Sequence, residues 1–112
     1  MAGSPSEITI QLRTGTQYIR KALEDLGNSE QAKAYILQAY IQLRDAGAKM
    51  QNANGVAGFP YPLYAIAIPQ VYDAKNLVQG ALTALNNGGI PLASTRLNEA
   101  LQMTETVLLT LF

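Results

Sequence analysis

The side chains of this 112-residue chain that could do acid–base chemistry are eight carboxylates, because it contains no histidine and no cysteine. Two carboxylates facing each other could share general acid and base roles, as in glycoside hydrolysis. Glu99 and Glu105 are six positions apart, a spacing that turns them to different sides of a helix. Asp73 and Glu99 could meet across a hairpin, although nothing in their spacing requires it. Helical bundles that hold paired metals combine Glu with Glu-x-x-His, and without histidine that set cannot be built. The absence of cysteine removes thiolate sites and disulfides and leaves the redox compartment undecided. Serine and threonine hydroxyls have no base beside them in sequence to activate them. Gly88-Gly89 follows a helical pattern rather than a strand and lacks the lysine or third glycine of a phosphate loop. The eight basic residues are dispersed, with Arg13, Arg20 and Lys21 the one local group, so solvated charge is a better reading than nucleic-acid contact. The sequence therefore points away from an enzyme, and it calls for no cofactor, metal or nucleic acid.

Composition narrows the remaining classes. Apolar residues make up 48% of the chain, enough for one core, while charged residues are only 14% and cancel to zero. The usual charged share is about 25%. A neutral chain has no long-range field to draw in polyanions or hold it on an acidic membrane. A charge-poor surface does little to keep copies apart, which favours self-association. No uninterrupted apolar run approaches the roughly 20 residues of a membrane span. The opening Met1-Ala-Gly-Ser-Pro-Ser lacks the basic end and apolar core of a secretory signal.

The architecture is written in a repeated pair of positions. Small residues recur every seventh place at Gly15 and Ala22; at Ala32, Ala39, Ala46 and Ala53; at Ala67, Ala74 and Ala81; and at Ala93 and Ala100. Larger apolar residues interleave with them at steps of three and four, including Ile8, Leu12 and Ile19, Ile36, Leu43 and Met50, Val71 and Val78, and Leu97. One small and one large seam position, repeated four times, specify an all-α, antiparallel four-helix bundle built as two hairpins. The expected helices span about residues 5–26, 29–52, 69–86 and 91–112 of a single domain. Ser4 and Pro5 can open the first, and Asn28 or Ser29 the second. Arg20 and Glu24, like Lys21 and Asp25, are four residues apart and give modest ion-pair support to the outer face of the first helix. Asn86-Asn87-Gly88-Gly89 separates the last two helices. A faint repeat aligns Tyr18–Leu26 with Leu77–Leu85, either a duplicated hairpin or two answers to one packing demand. The tryptophan and closing proline of tetratricopeptide arrays are absent, so this repeat assigns no family.

Residues 55–68 break the pattern, with an apolar, Pro- and Tyr-rich stretch expected to form a loop, although the small-residue register reaches back to Ala67 and allows a helical turn between Leu63 and Ile68 that kinks at Pro69. Long apolar loops are uncommon without a role. Phe59-Pro60-Tyr61-Pro62-Leu63-Tyr64 could fold over the open end of the bundle as a cap or stand as a contact surface. At the far end, one helix face cannot bury Leu108, Leu109, Leu111 and Phe112 together inside a small bundle. Tyr35, Leu37, Tyr40 and Ile41 likewise lie beside the seam rather than on it. These excesses point to a non-enzymatic structural or interaction module that assembles with itself or a protein partner. The expected contact residues are Phe59, Tyr61, Tyr64, Leu108, Leu109 and Phe112. The competing expectation is a small bundle that binds an apolar or aromatic ligand near the loop, lined by Tyr18, Tyr40, Tyr64 and Tyr72.

Overall fold

The computed structural model describes the backbone of residues 5–53 and 61–111, and the side chains of residues 7–52 and 65–110. Four helices account for nearly all of it: α1 (Pro5–Glu24), α2 (Ser29–Ala53), α3 (Tyr61–Asn86) and α4 (Ile90–Leu111). Their ends follow local chemistry. Asn28 caps α2, its Oδ1 accepting from the Gln31 backbone N–H at 3.4 Å. Residues 86–89 close α3 with a glycine in the left-handed region, Gly88 at φ 77°. Gly89 N–H then reaches back to the Ala84 carbonyl at 2.7 Å and Gly88 N–H to that of Leu85 at 3.0 Å, which satisfies two otherwise orphaned acceptors.

The third helix corrects the sequence-based expectation. It begins at Tyr61 rather than near Pro69, so residues 61–68 are helical and not part of a loop. Two prolines argue against a helix here, and their positions explain the outcome. Pro62 stands in the first turn, where an N–H has no intrahelical partner to lose. Pro69 lies inside the helix but on its exposed side, as does Ala65, whose carbonyl the missing N–H would have met. Water can take that acceptor. Residues 54–60, with Phe59, lie outside the described residues, as does Phe112.

Each helix packs mainly on two neighbours: α1 on α2 and α4, and α3 on α2 and α4. Short α1–α2 and α3–α4 connections make the order up-down-up-down, an antiparallel bundle of 46 × 20 × 19 Å. The core is the seam read from the sequence. Ile8, Leu12, Ile19, Ile36, Leu43, Met50, Val71, Val78 and Leu97 are fully buried, and so are the alanines at 22, 32, 39, 46, 67, 74, 81, 93 and 100. Each large member contributes about 1.5–3 kcal/mol relative to exposure. Gly15 is buried against α2, where an added Cβ would lie 3.3 Å from Leu43 Cδ2. Two hydroxyls enter this core and both bond within their own helix. Thr104 Oγ1 donates to the Leu101 carbonyl at 3.1 Å and Thr16 Oγ1 to that of Leu12 at 2.7 Å.

Candidate binding groove between the third and fourth helices

Half of the buried residues of α3 and α4 are alanine, so the side chains that flank them decide the surface of this boundary. On α3 these are Gln70, Asp73, Asn76 and Leu77; on α4 they are Arg96, Glu99, Gln102, Met103 and Thr106. They line two adjoining cavities of about 410 and 340 Å³ that share Glu99 and Met103. Leu77 and Met103, both half-buried and packed on the core, supply the apolar part. The rest is polar. Asp73, Arg96 and Glu99 line one cavity, yet none forms an ion pair with another described residue. The side chains of Gln70, Asn76 and Gln102 likewise make no hydrogen bond among the described residues. A row of uncommitted donors and acceptors over an apolar floor is a surface ready to bond with something else.

Apolar residues extend the same groove at its ends. Ile66 is seven residues before Asp73, and Leu109 seven after Gln102, so each repeats the face of a groove residue two turns away. Ile66 is 59% exposed and Leu109 85% exposed, the most exposed large apolar side chain among the described residues. Leu92, four residues before Arg96, is half exposed toward the other end.

The other helix boundaries differ in character. Between α1 and α4, Arg13, Thr16, Gln17, Arg20 and Leu108 surround a cavity of 280 Å³, and Arg20 reaches Glu105 at 3.5 Å. That contact crosses to another helix, where sequence spacing pairs Arg20 with Glu24. Lys21 also departs from its spacing partner Asp25: its Nζ lies 5.7 Å from the ring centres of both Tyr18 and Tyr35. Between α2 and α3, Ile36, Leu37, Tyr40, Gln79 and Leu82 form an apolar crevice of 240 Å³. Tyr72 lies on the same boundary, donating its hydroxyl to Gln51 Oε1 at 3.0 Å. Tyr18 and Tyr40 thus stand on different boundaries rather than around one pocket.

The expected contact residues separate in the same way. Leu109 is outward-facing. Leu108 packs against the core and lines the α1–α4 cavity. The backbones of Tyr61 and Tyr64 belong to the first turns of α3, and their side chains lie outside the described residues. Asp73 and Glu99, which spacing permits but does not oblige to meet, line one cavity. Ile66, Gln70, Gln102 and Met103 carry no distinguishing signal in the sequence, since each reads as an ordinary helix-surface residue until the partner helix is in place.

No protein family, curated protein or solved structure matches the chain. What the groove can do follows from its own chemistry. Among the described residues, no group of three or more acidic side chains could hold a metal ion. No described helix is long and apolar enough to cross a membrane.

Proposed function

We propose that this chain is a non-enzymatic assembly module, which joins copies of itself or a protein partner through the α3–α4 face. The observation that supports this reading most is Leu109, 85% exposed at the edge of a groove whose polar side chains have no partners among the described residues. An isolated exposed leucine needs no explanation. One at the end of a groove that also has Ile66 at that end and Met103 and Leu77 in its floor does, because apolar side chains bordered by hydrogen-bonding groups are the usual anatomy of a contact surface.

A small-molecule site is less well supported. The apolar crevice at Tyr40 measures 240 Å³, below the roughly 300–1,000 Å³ of ligand pockets. The larger α3–α4 cavities lie open on the surface and do not enclose a ligand, whereas ligand pockets are concave and bury most of what they bind.

Sedimentation over a concentration series, with the Leu109→Asp variant run in parallel, tests the proposal. The wild-type chain is expected to grow in mass with concentration, and the variant to remain smaller while melting at the same temperature. A wild-type chain that stays monomeric, with no protein captured from its native source, would overturn it.

A further inference from the structure

We infer that the groove between α3 and α4 receives the outer ridge of α1 from a second copy, so that copies join side by side rather than face to face. This rests on the assembly reading above and specifies its geometry. The ridge consists of Ile10, Arg13, Gln17, Arg20 and Glu24, all exposed and spaced three, four, three and four apart. Ile10 is 62% exposed, an apolar residue with no role in its own core.

Charge and register both fit. In the groove, Leu109 and Glu99 are ten residues apart, about 15 Å at the helical rise of 1.5 Å per residue. Ile10 and Arg20 are also ten residues apart. If Ile10 of the second copy lies between Ile66 and Leu109, Arg20 falls level with Glu99. Glu24 is then about 21 Å from Ile10, and Arg96 about 19.5 Å from Leu109, so this second pair also matches in sign and level. Arg13 falls beside Gln70 and Thr106, one turn from Asp73. One alignment thus places apolar on apolar and pairs Arg20 with Glu99 and Glu24 with Arg96. In that alignment the incoming α1 runs parallel to α3.

The internal partners do not prevent it. Arg13, Asp73, Arg96 and Glu99 form no ion pair among the described residues, and the Arg20–Glu105 pair is exposed enough to be shared or exchanged at little cost.

Ridge and groove occupy different faces: Arg13, Gln17 and Arg20 border the α1–α4 boundary, whereas the groove lies between α3 and α4. Such a contact is heterologous, so each copy presents one of each surface and growth continues until a ring closes or a row extends. The incoming α1 lies parallel to α3, and within one chain α1 and α3 run in the same sense. Neighbouring bundles therefore share an axis direction.

The test uses two full-length variants. Arg13→Glu with Arg20→Glu disables the ridge; Asp73→Lys with Glu99→Lys disables the groove. All four positions are exposed, and unchanged circular dichroism melts confirm folding. Each variant alone is expected to sediment as a monomer, with association weakened at least about tenfold. Mixed in equal amounts, they are expected to assemble again, since one brings an intact groove and the other an intact ridge, and the reversed charges of the two variants complement each other. Variants that assemble like the wild type, or a mixture that stays monomeric, would overturn the ridge-and-groove pairing while leaving self-assembly standing. A wild-type chain that never associates would overturn both.

Discussion

Gly80 lies directly beneath Arg96 across the α3–α4 boundary: a Cβ added at Gly80 would stand 2.9 Å from the Arg96 Cδ. The glycine lets the arginine stem lie down over α3 at one end of the groove. Nothing fixes that stem among the described residues, so it can swing away. Gly80→Ala is therefore expected to gain about 0.5–1 kcal/mol of stability from helix propensity, since glycine in a helix interior is unfavourable by that amount. Gly15 is the contrasting case. A Cβ there meets Leu43 Cδ2 at 3.3 Å and Gln42 Cβ at 3.4 Å, and Leu43 is fully buried. Overpacking opposes the propensity gain, and Gly15→Ala is expected to rank below Gly80→Ala by about 1 kcal/mol or more in urea denaturation. The reverse order would mean that the Arg96 stem is held and the Leu43 layer is slack.

The small seam positions predict a larger effect. Ala74 and Ala100 are fully buried on facing helices. Replacing Ala74 by Leu inserts a branched side chain where there is no space, and the bundle is expected to lose about 1–3 kcal/mol as helices or rotamers shift. Asn76 stands a short way along the same helix but is exposed, and it serves as the control. Asn76→Leu is expected to change stability by less than about 0.5 kcal/mol. Denaturation of both variants checks the pair. Equal effects would mean that the alanine seam is not the close-packed surface of the fold.

The seam was legible because burial imposes a period, and every described alanine of the seventh-place series is inside. Asn28 and Gly88 were legible for a similar reason: the backbone has few ways to start or stop a helix, and their side chains name the way used. The start of α3 was not. A proline ends a helix only when its missing N–H or its ring conflicts with the preceding turn, and composition cannot say that Pro62 falls in the first turn or that Pro69 faces outward. The groove was less legible still. Asp73 and Glu99 are brought to one cavity by the tight 86–89 turn, which sets the register of α3 against α4. The acidic pair was visible in the sequence as a possibility, whereas Ile66, Gln102 and Met103 become part of a surface only once that register is set.

Two apolar residues on α4 distinguish core from contact. Leu97 is fully buried and Leu109 is 85% exposed. Leu97→Ala is expected to cost about 2–5 kcal/mol through lost transfer energy and the cavity left behind. Leu109→Asn is expected to leave the unfolding of dilute protein within about 0.5 kcal/mol of wild type. A marked loss of stability in dilute Leu109→Asn would show that this leucine supports its own fold, and the case for a contact surface would weaken.

Gln11 offers the remaining test of how well this core is satisfied. Its Oε1 is buried with no hydrogen-bond partner, unlike the hydroxyls of Thr16 and Thr104, each of which bonds to its own helix. An unmet buried acceptor costs about 1–3 kcal/mol. Methionine has nearly the same length and volume as glutamine and carries no strong acceptor. Gln11→Met is therefore expected to raise stability by about 1 kcal/mol. Gln11→Glu retains the shape but brings a charge to the same buried position, so it is expected to lower stability at neutral pH and to recover part of the loss in acid. The sign follows from burial, which favours the protonated carboxyl in the folded chain and so raises its pKa there above the unfolded value. That stabilising difference is fully present below the unfolded value, once the carboxyl is protonated, and is lost as the pH rises through the folded-state value. Urea titrations of the two variants at neutral and acid pH separate the effects. A methionine variant less stable than wild type would show that the amide oxygen is satisfied after all, by water or by a movement of the α1 side chains.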